Sequence, residues 1–387
     1  MANTITAVLP SIYAGLRQVS REMVGIIPAV QINADITRVA VGQSVAIPIV
    51  PAATGGNVTP GATPPNDGDV VLSSTNVVID KSKYSPVRWN GEEQLALGPS
   101  GQYNRILAQQ FAESMRWLVN QVEIDLLVRA YQNSSRAYGT PGTAPFGVAG
   151  DLTDFAGVNR ILDENGAPMF GRRMILGSAA RFNLEGKQSV LFKANEAGSD
   201  ALLRDRVLAN VMGFDIGVSA GVVDHVKGAG TGYLVNNGSG EVAGQTVLTL
   251  DTGTVNTTGI KAGDVVTMAG DTNKYVVNTG LAATAGDIVI GQPGLRLTAA
   301  DNTALSIGNS YTANVAFGPN ALVLAARAPA LPEGGDSAVD REMVIDPVSG
   351  LAFDVALYRE YRQIRYEVAL AWGTGAPNPS QIATLLG

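Results

Sequence analysis

The sequence predicts an α+β fold organised by one long helix, with an extended loop before it and an all-β unit inserted late in the chain. Three observations carry this reading. Apolar residues from Tyr103 to Ala130 recur every three or four positions, the period of a helix with a continuous apolar stripe. Glycine and proline crowd residues 51–69, between two segments that alternate like strands. From Asp224 to Thr312, 15 glycines and 14 threonines punctuate short β-rich runs, and no helical period survives.

Taken in order, Thr4 to Gly25 reads as a short helix with Leu16, Val19 and Met23 on one side, ended by Pro28. Val39 to Val50 has strand character. The Gly/Pro tip, Pro51 to Asp69, cannot be helical, and a second strand region runs from Val70 to Asp80 and on through Tyr84 to Trp89. A long hairpin of this kind is marginal unless it lies on another surface. Gly101 to Ser134, about 34 residues, would reach roughly 50 Å as a helix. Ser100 offers its N-cap, and Gly139 with Pro141 closes it. Ile106, Trp117, Ile124, Leu127 and Val128 lie off the stripe, so the helix needs partners on several faces.

Thr153 to Asn165 is a compact helix stopped by Gly166 and Pro168. Arg172 to Leu176 reads as a buried strand, Ala201 to Met212 as a helix ended by Gly213, and Phe214 to Val223 as a strand. Inside the glycine- and threonine-rich stretch, strands are expected at 233–236, 246–250, 264–268, 274–278, 287–290 and 295–298, the spacing of a small barrel or sandwich. The main fold resumes at Asn314, and Phe353 to Trp372 forms an amphipathic strand-like run.

At 387 residues the chain is long enough for two or more cores. Charged residues reach only 16%, against 45% apolar, so much surface is either neutral or covered by neighbours. The absence of cysteine excludes disulfides, thiolate metal sites and cysteine nucleophiles. A net charge of -7 without a Lys/Arg cluster argues against tight binding of duplex DNA. No run of 18 apolar residues predicts a membrane span, and Met1 to Arg21 lacks a signal-peptide layout.

Candidate motifs reduce to structure. Gly217-Val218-Ser219-Ala220-Gly221 matches a nucleophile elbow, but a glycine-rich β segment follows where a helix is required. The single histidine, His225, lies six residues beyond Ser219 and no other is available as a base, so Ser219 is read as part of a strand. His225 is expected at a domain junction, with some pH sensitivity. Gly238 to Ala243 loosely fits a dinucleotide fingerprint but leads into a strand, so it reads as a hairpin turn. Asp264, Asp271 and Asp287 lack calcium-loop spacing, so no metal or cofactor is expected. Lys81 and Lys83 read as solvated strand-edge lysines. Glu92–Glu93 reads as a charged rim or an inter-chain ion pair, and Arg359, Arg362 and Arg365 with Tyr358, Tyr361 and Tyr366 as an amphipathic strand.

In this order the elements resemble the major capsid proteins of tailed bacteriophages, nearest the short-tailed enterobacterial group whose coat carries an extra β-barrel. The likenesses are the stretch Arg204 to Asp215 ending in Gly213-Phe214-Asp215, the strand Lys261-Ala262-Gly263-Asp264 onward, and Ala369 to Gly373 with Pro377 and Pro379. The resemblance implies the Johnson capsid fold. Residues 1–35 would form an N-terminal arm and 36–97 an extended hairpin loop. Residues 98–150 would hold the spine helix, 151–223 and 313–345 an axial domain, 224–312 the inserted barrel, and 346–387 peripheral strands and tail. It implies a self-assembling, non-enzymatic coat subunit found in the virion and assembled in the host bacterial cytoplasm. Its partners would be copies of itself in hexamers and pentamers, a scaffolding protein and a portal, around double-stranded DNA held without sequence-specific contacts. Contacts between subunits are expected at Lys81, Lys83, Arg88, Glu92, Glu93, Arg359 and Arg362, and nothing singles out Lys81 or Lys83 for a covalent cross-link. The rival readings are another virion part, such as a tail-tube or decoration protein, and a serine hydrolase using Ser219.

Overall fold

The computed structural model describes residues 12–13, 23–34, 37–49, 57–58, 60, 73–97, 102–188, 191, 210–347 and 349–387. Its first half holds a 3-10 turn at Ile27–Ala29, then β1 (Gln31–Ala34), β2 (Ser44–Ile49), β3 (Ser73–Val78), β4 (Lys81–Asn90), helix α1 (Gly91–Leu97), the long helix α2 (Gln102–Gln132) and β5 (Arg136–Tyr138). Then come α3 (Thr153–Glu164), β6 (Arg172–Leu176), α4 (Ser178–Lys187), β7 (Asn210–Val211), β8 (Phe214–Val218) and β9 (Asp224–His225). The β-rich stretch supplies β10 (Leu234–Val235), β11 (Val247–Asp251), β12 (Val265–Met268), β13 (Lys274–Thr279), β14 (Gly286–Ile290) and β15 (Leu305–Ile307). The chain finishes with β16 (Tyr311–Phe317), β17 (Val323–Arg327), β18 (Asp340–Ile345), β19 (Ala352–Glu360), β20 (Gln363–Gly375) and β21 (Ile382–Leu386).

Two large sheets flank α2. In the six-stranded sheet β20 is the organising strand: it pairs with β4 along one edge and with β19, then β17, along the other. β1 adds in parallel to β17. The thirteen-stranded sheet runs from β10 through β13, β5, β21 and β16 to β6, β8 and β7. The helix stripe does what its period demands: Leu107, Phe111, Met115, Leu118, Val122, Leu126 and Ala130 are all buried. They meet Phe353, Val355, Val368, Leu370 and Trp372 of the six-stranded sheet and Val315, Phe317 and Leu386 of the other, in one core. A side chain of this size is worth about 1.5–3 kcal/mol when fully buried. Off the stripe Leu127 is buried as well, whereas Trp117 is exposed.

A second core, with Phe146, Phe155, Leu162, Leu176 and Phe214, lies under α3 and α4. A third, with Tyr233, Leu248, Leu250, Tyr275, Ile288 and Ile290, belongs to the β-rich stretch alone. That stretch is hydrogen-bonded to the rest through β13, where Lys274 and Tyr275 pair with Ala137 and Arg136 of β5.

Several expectations change. Within the expected strand region 70–89, residues 73–89 hold two strands with different partners: β3 pairs with β2 in a separate hairpin, and β4 joins the six-stranded sheet. The hairpin base rests on its own chain, with Val45, Val77 and Ile79 against Ala325 and Ala371. Glycine makes this seat possible, because a Cβ at Gly373 would stand 2.1 Å from the Val78 carbonyl oxygen. Residues 210–212 are not helical: β7 turns through Met212 and Gly213 (φ 49° and 85°) into β8. The expected strand at 295–298 is absent, and β15 pairs with β12 instead. The run 353–372 is a hairpin turning at Tyr361–Arg362, where Arg362 has φ 55°. Most of the expected helix 4–25, most of the tip 51–69, the Ser100 cap and residues 201–209 lie outside the described residues.

Candidate functional site

Ser219 is buried, and its Oγ accepts the Gly221 N–H at 3.0 Å. His225 does not bond to it: Nε2 meets Asp264 Oδ1 at 2.8 Å and Nδ1 the Tyr131 hydroxyl at 3.4 Å. Asp264 also accepts from the N–H groups of Gly228 and Lys261, so the histidine is a structural link between α2 and the β-rich stretch. Among the described residues no cluster of His, Asp and Glu could hold a metal ion. No helix among them is long and apolar enough to cross a membrane. An open cavity of about 940 Å³ is lined by Arg136, Asp154, Arg160, Lys187 and Lys274 among others. Arg136, Arg160 and Lys274 are committed elsewhere. Arg136 and Arg160 both pair with Glu164 and together outweigh the burial that would raise its carboxyl, holding it below its ordinary range. Lys274 donates to the Gly139 carbonyl, and burial lowers its ammonium below the ordinary value.

What the structure builds with care is a strap. The Met23 carbonyl accepts from Ala220 N–H, and Gly25, Ile26 and Ile27 donate their backbone N–H groups to Glu123 on α2, at 2.6, 2.9 and 3.2 Å. Glu123 is 2% exposed, so these three bonds stand in for water at its carboxyl group and cap the 3-10 turn. The strand β1 follows, then Val39 bridges to the strand-like segment at Ala328 and Ala330. Arg38 closes the strap with a bidentate grip on the buried Asp354, at 3.0 and 3.2 Å. Residues 23–34 and 37–39 are thus bound to their own body. Nothing in the sequence marked Glu123 apart from the other polar residues of the helix.

A second device zips β4 to α2. Alternate residues face the helix. Lys81 pairs with Asp125, Lys83 Nζ donates to Gln121 at 2.7 Å, Ser85 bonds to Ser114 at 3.0 Å, and Trp89 Nε1 donates to Gln110 at 2.7 Å. Lys83 also stands 5.7 Å from the Trp117 ring and 5.8 Å from that of Trp372. The two lysines are therefore engaged within the chain, not simply solvated.

The remaining expected contact residues gather at one end of the six-stranded sheet. Arg88 is exposed and registers with Arg365, which stacks on Tyr358 at 5.0 Å. Asn90 and Glu93 form a reciprocal cap at 2.8 and 3.0 Å that starts α1, with Glu92 exposed in its first turn. Arg359 is exposed near the hairpin end, and Arg362 lies 5.5 Å from the Tyr361 ring while its carbonyl accepts the Gly91 N–H. Beneath them Tyr103 is pushed up to about 12 by burial and by Tyr366 beside it.

No protein-family model matches the chain, and no curated protein matches it. Among solved structures it is similar to the capsid of Cyanophage P-SCSP1u, at 12% identity over 95% of this chain and 89% of that one, with a TM-score of 0.50. It is also similar to a chain of Mycobacterium phage Che8 (14% identity, 100% and 92% covered, TM-score 0.47). The capsid of Myoviridae Phage XM1 is a third (11% identity, 96% and 93% covered, TM-score 0.45). The first likeness, nearly end to end in both chains, shows that the α+β fold is that of a phage capsid chain.

Proposed function

We propose that this chain is a major capsid protein, a non-enzymatic subunit that self-assembles into the icosahedral head shell around phage double-stranded DNA. The observation that carries the reading is the end-to-end capsid fold, in which Ser219 and the single histidine, His225, bond to other partners. Copies would join as hexamers and pentamers through heterologous contacts that close into rings. Arg88, Glu92, Glu93, Arg359 and Arg362, clustered at one exposed sheet end, would supply inter-subunit ion pairs. The net charge of -7 suits an inner wall that does not hold DNA. A scaffolding protein and a portal would complete assembly in the bacterial cytoplasm. Residues 224–312, with their own core, would be an inserted β-barrel bracing the subunit.

Electron microscopy of the purified, concentrated protein, alone and with a candidate scaffold, tests this. Closed shells support the proposal. Stacked rings or tubes would identify a tail-tube protein, and a persistent monomer under both conditions would refute the capsid reading. Bulky substitutions at the glycines of 51–69 should impair shells while the subunit still folds.

A further inference from the structure

Three asparagines precede glycine: Asn90, Asn165 and Asn237. Such a pair can react with itself, because glycine carries no Cβ to obstruct the approach of its nitrogen to the neighbouring carboxamide. The reaction requires a glycine N–H free to give up its proton, a mobile carboxamide and an unheld amide leaving group. The structure separates the three pairs at the glycine N–H, and separates Asn165 from the other two at the leaving group as well.

At Asn90 the Gly91 N–H is donated to the Arg362 carbonyl at 3.1 Å, and the carboxamide oxygen is fixed by Glu93 N–H at 2.8 Å. At Asn165 the Gly166 N–H is donated to the Asp163 carbonyl at 3.0 Å. There the side-chain oxygen accepts from Arg136 at 3.1 Å, and Nδ2 donates to Ser135 Oγ and the Ser380 carbonyl, both at 2.8 Å. Nucleophile and leaving group are both blocked in that pair. Asn237 is different. Its oxygen accepts the Ser239 N–H at 3.1 Å, an Asx turn that draws the carboxamide over the following backbone and polarises its carbonyl. Among the described residues, neither Asn237 Nδ2 nor the Gly238 N–H has a hydrogen-bond partner. No heavy atom lies within 4 Å of where a Gly238 Cβ would stand, so the loop has room to close.

We propose that Asn237 is a self-modification site of the folded chain. Water or hydroxide removes the Gly238 amide proton, and that nitrogen bonds to Asn237 Cγ. The Cγ–Nδ2 bond breaks and ammonia leaves, forming a cyclic imide. Water then opens either carbonyl of the ring, giving aspartate or isoaspartate, with no oxidant or cofactor. The product carboxylate stands beside Asp301, which accepts the Asn237 N–H at 3.0 Å. The isoaspartyl form also lengthens the main chain by one methylene and breaks the 2.7 Å bond from Gly240 N–H to the Asn237 carbonyl. The exposed loop between β10 and β11 thus gains charge and a kink as the protein ages.

Incubating the full-length folded protein in mildly alkaline buffer, with peptide mass mapping and isoaspartate-specific methyl labelling over time, tests this. The peptide holding Asn237 should convert first and carry isoaspartate, while Asn90 and Asn165 keep their amides. In denaturant all three should convert alike. Asn237→Gln should lose the labelling at this position without unfolding the protein. The proposal is overturned if Asn90 or Asn165 converts as fast as Asn237 in the folded chain. It is equally overturned if Asn237 converts no faster than Asn302, which precedes threonine.

Discussion

Glu123 Oε1 lies 2.6 Å from the Gly25 amide nitrogen, a bond spanning 98 positions that anchors the N-terminal strap to the middle of the long helix. With Ile26 and Ile27 also donating, one carboxylate satisfies three buried backbone groups. Glu123→Ala leaves them without an acceptor, and the expected loss is about 3–5 kcal/mol of stability. Urea unfolding measures it, and limited proteolysis should cut residues 23–34 sooner in the variant. A change no larger than about 0.5 kcal/mol, ordinary for a surface site, would show that the strap is held by other contacts.

Gly373 is the seat of the β2–β3 hairpin, and any side chain there must displace the Val78 carbonyl. Gly373→Val should cost about 1–3 kcal/mol, the usual range for overpacking. Hydrogen exchange should rise at Val45 and Val77 while α2 stays protected. Unchanged exchange in the hairpin would contradict the packing described.

Asp125 joins three elements: it pairs with Lys81 on β4 and accepts Trp372 Nε1–H from β20 at 2.9 Å. Asp125→Ala strands the buried indole N–H and should cost about 1–3 kcal/mol. Lys81→Ala removes only a partly exposed ion pair and should cost under about 1 kcal/mol. Equal losses for the two variants would mean that the indole contributes nothing.

Glu164 gives stability a pH dependence. Folding depresses its carboxyl, because Arg136 and Arg160 outweigh burial, so the unfolded chain holds the proton more tightly. The contribution is complete above the ordinary value of 4.5 and is lost as pH falls through the lower folded value. Wild type should therefore exceed Glu164→Gln in melting temperature at neutral pH, and the gap should narrow on acidification below 4.5. A gap independent of pH would rule out this ion pair as its source.

The long helix was legible because Leu107, Phe111, Met115 and Leu118 declare their period locally, and the β-rich stretch because its glycines and threonines do. Partner choice was not. β3 and β4 share one alternating pattern, yet only packing assigns them to different sheets. Residues 210–212 continue a helix-like composition, yet β8 captures Asn210 and Val211 as a strand. The expected contact residues stand out in the sequence by charge alone, and the lysines among them meet acceptors on α2 that no spacing rule could reveal.

By itself the sequence determined the long helix and most of the strands, through side-chain periodicity, and which chemistries are impossible, through the residues it lacks. Only the tertiary structure decided which strand meets which, where the strap crosses α2, and which of three Asn–Gly pairs stays reactive. The physical reason is range. Periodicity and backbone preference act over a few residues, whereas a buried carboxylate accepts whichever amides the assembled core brings to it, however distant in the chain.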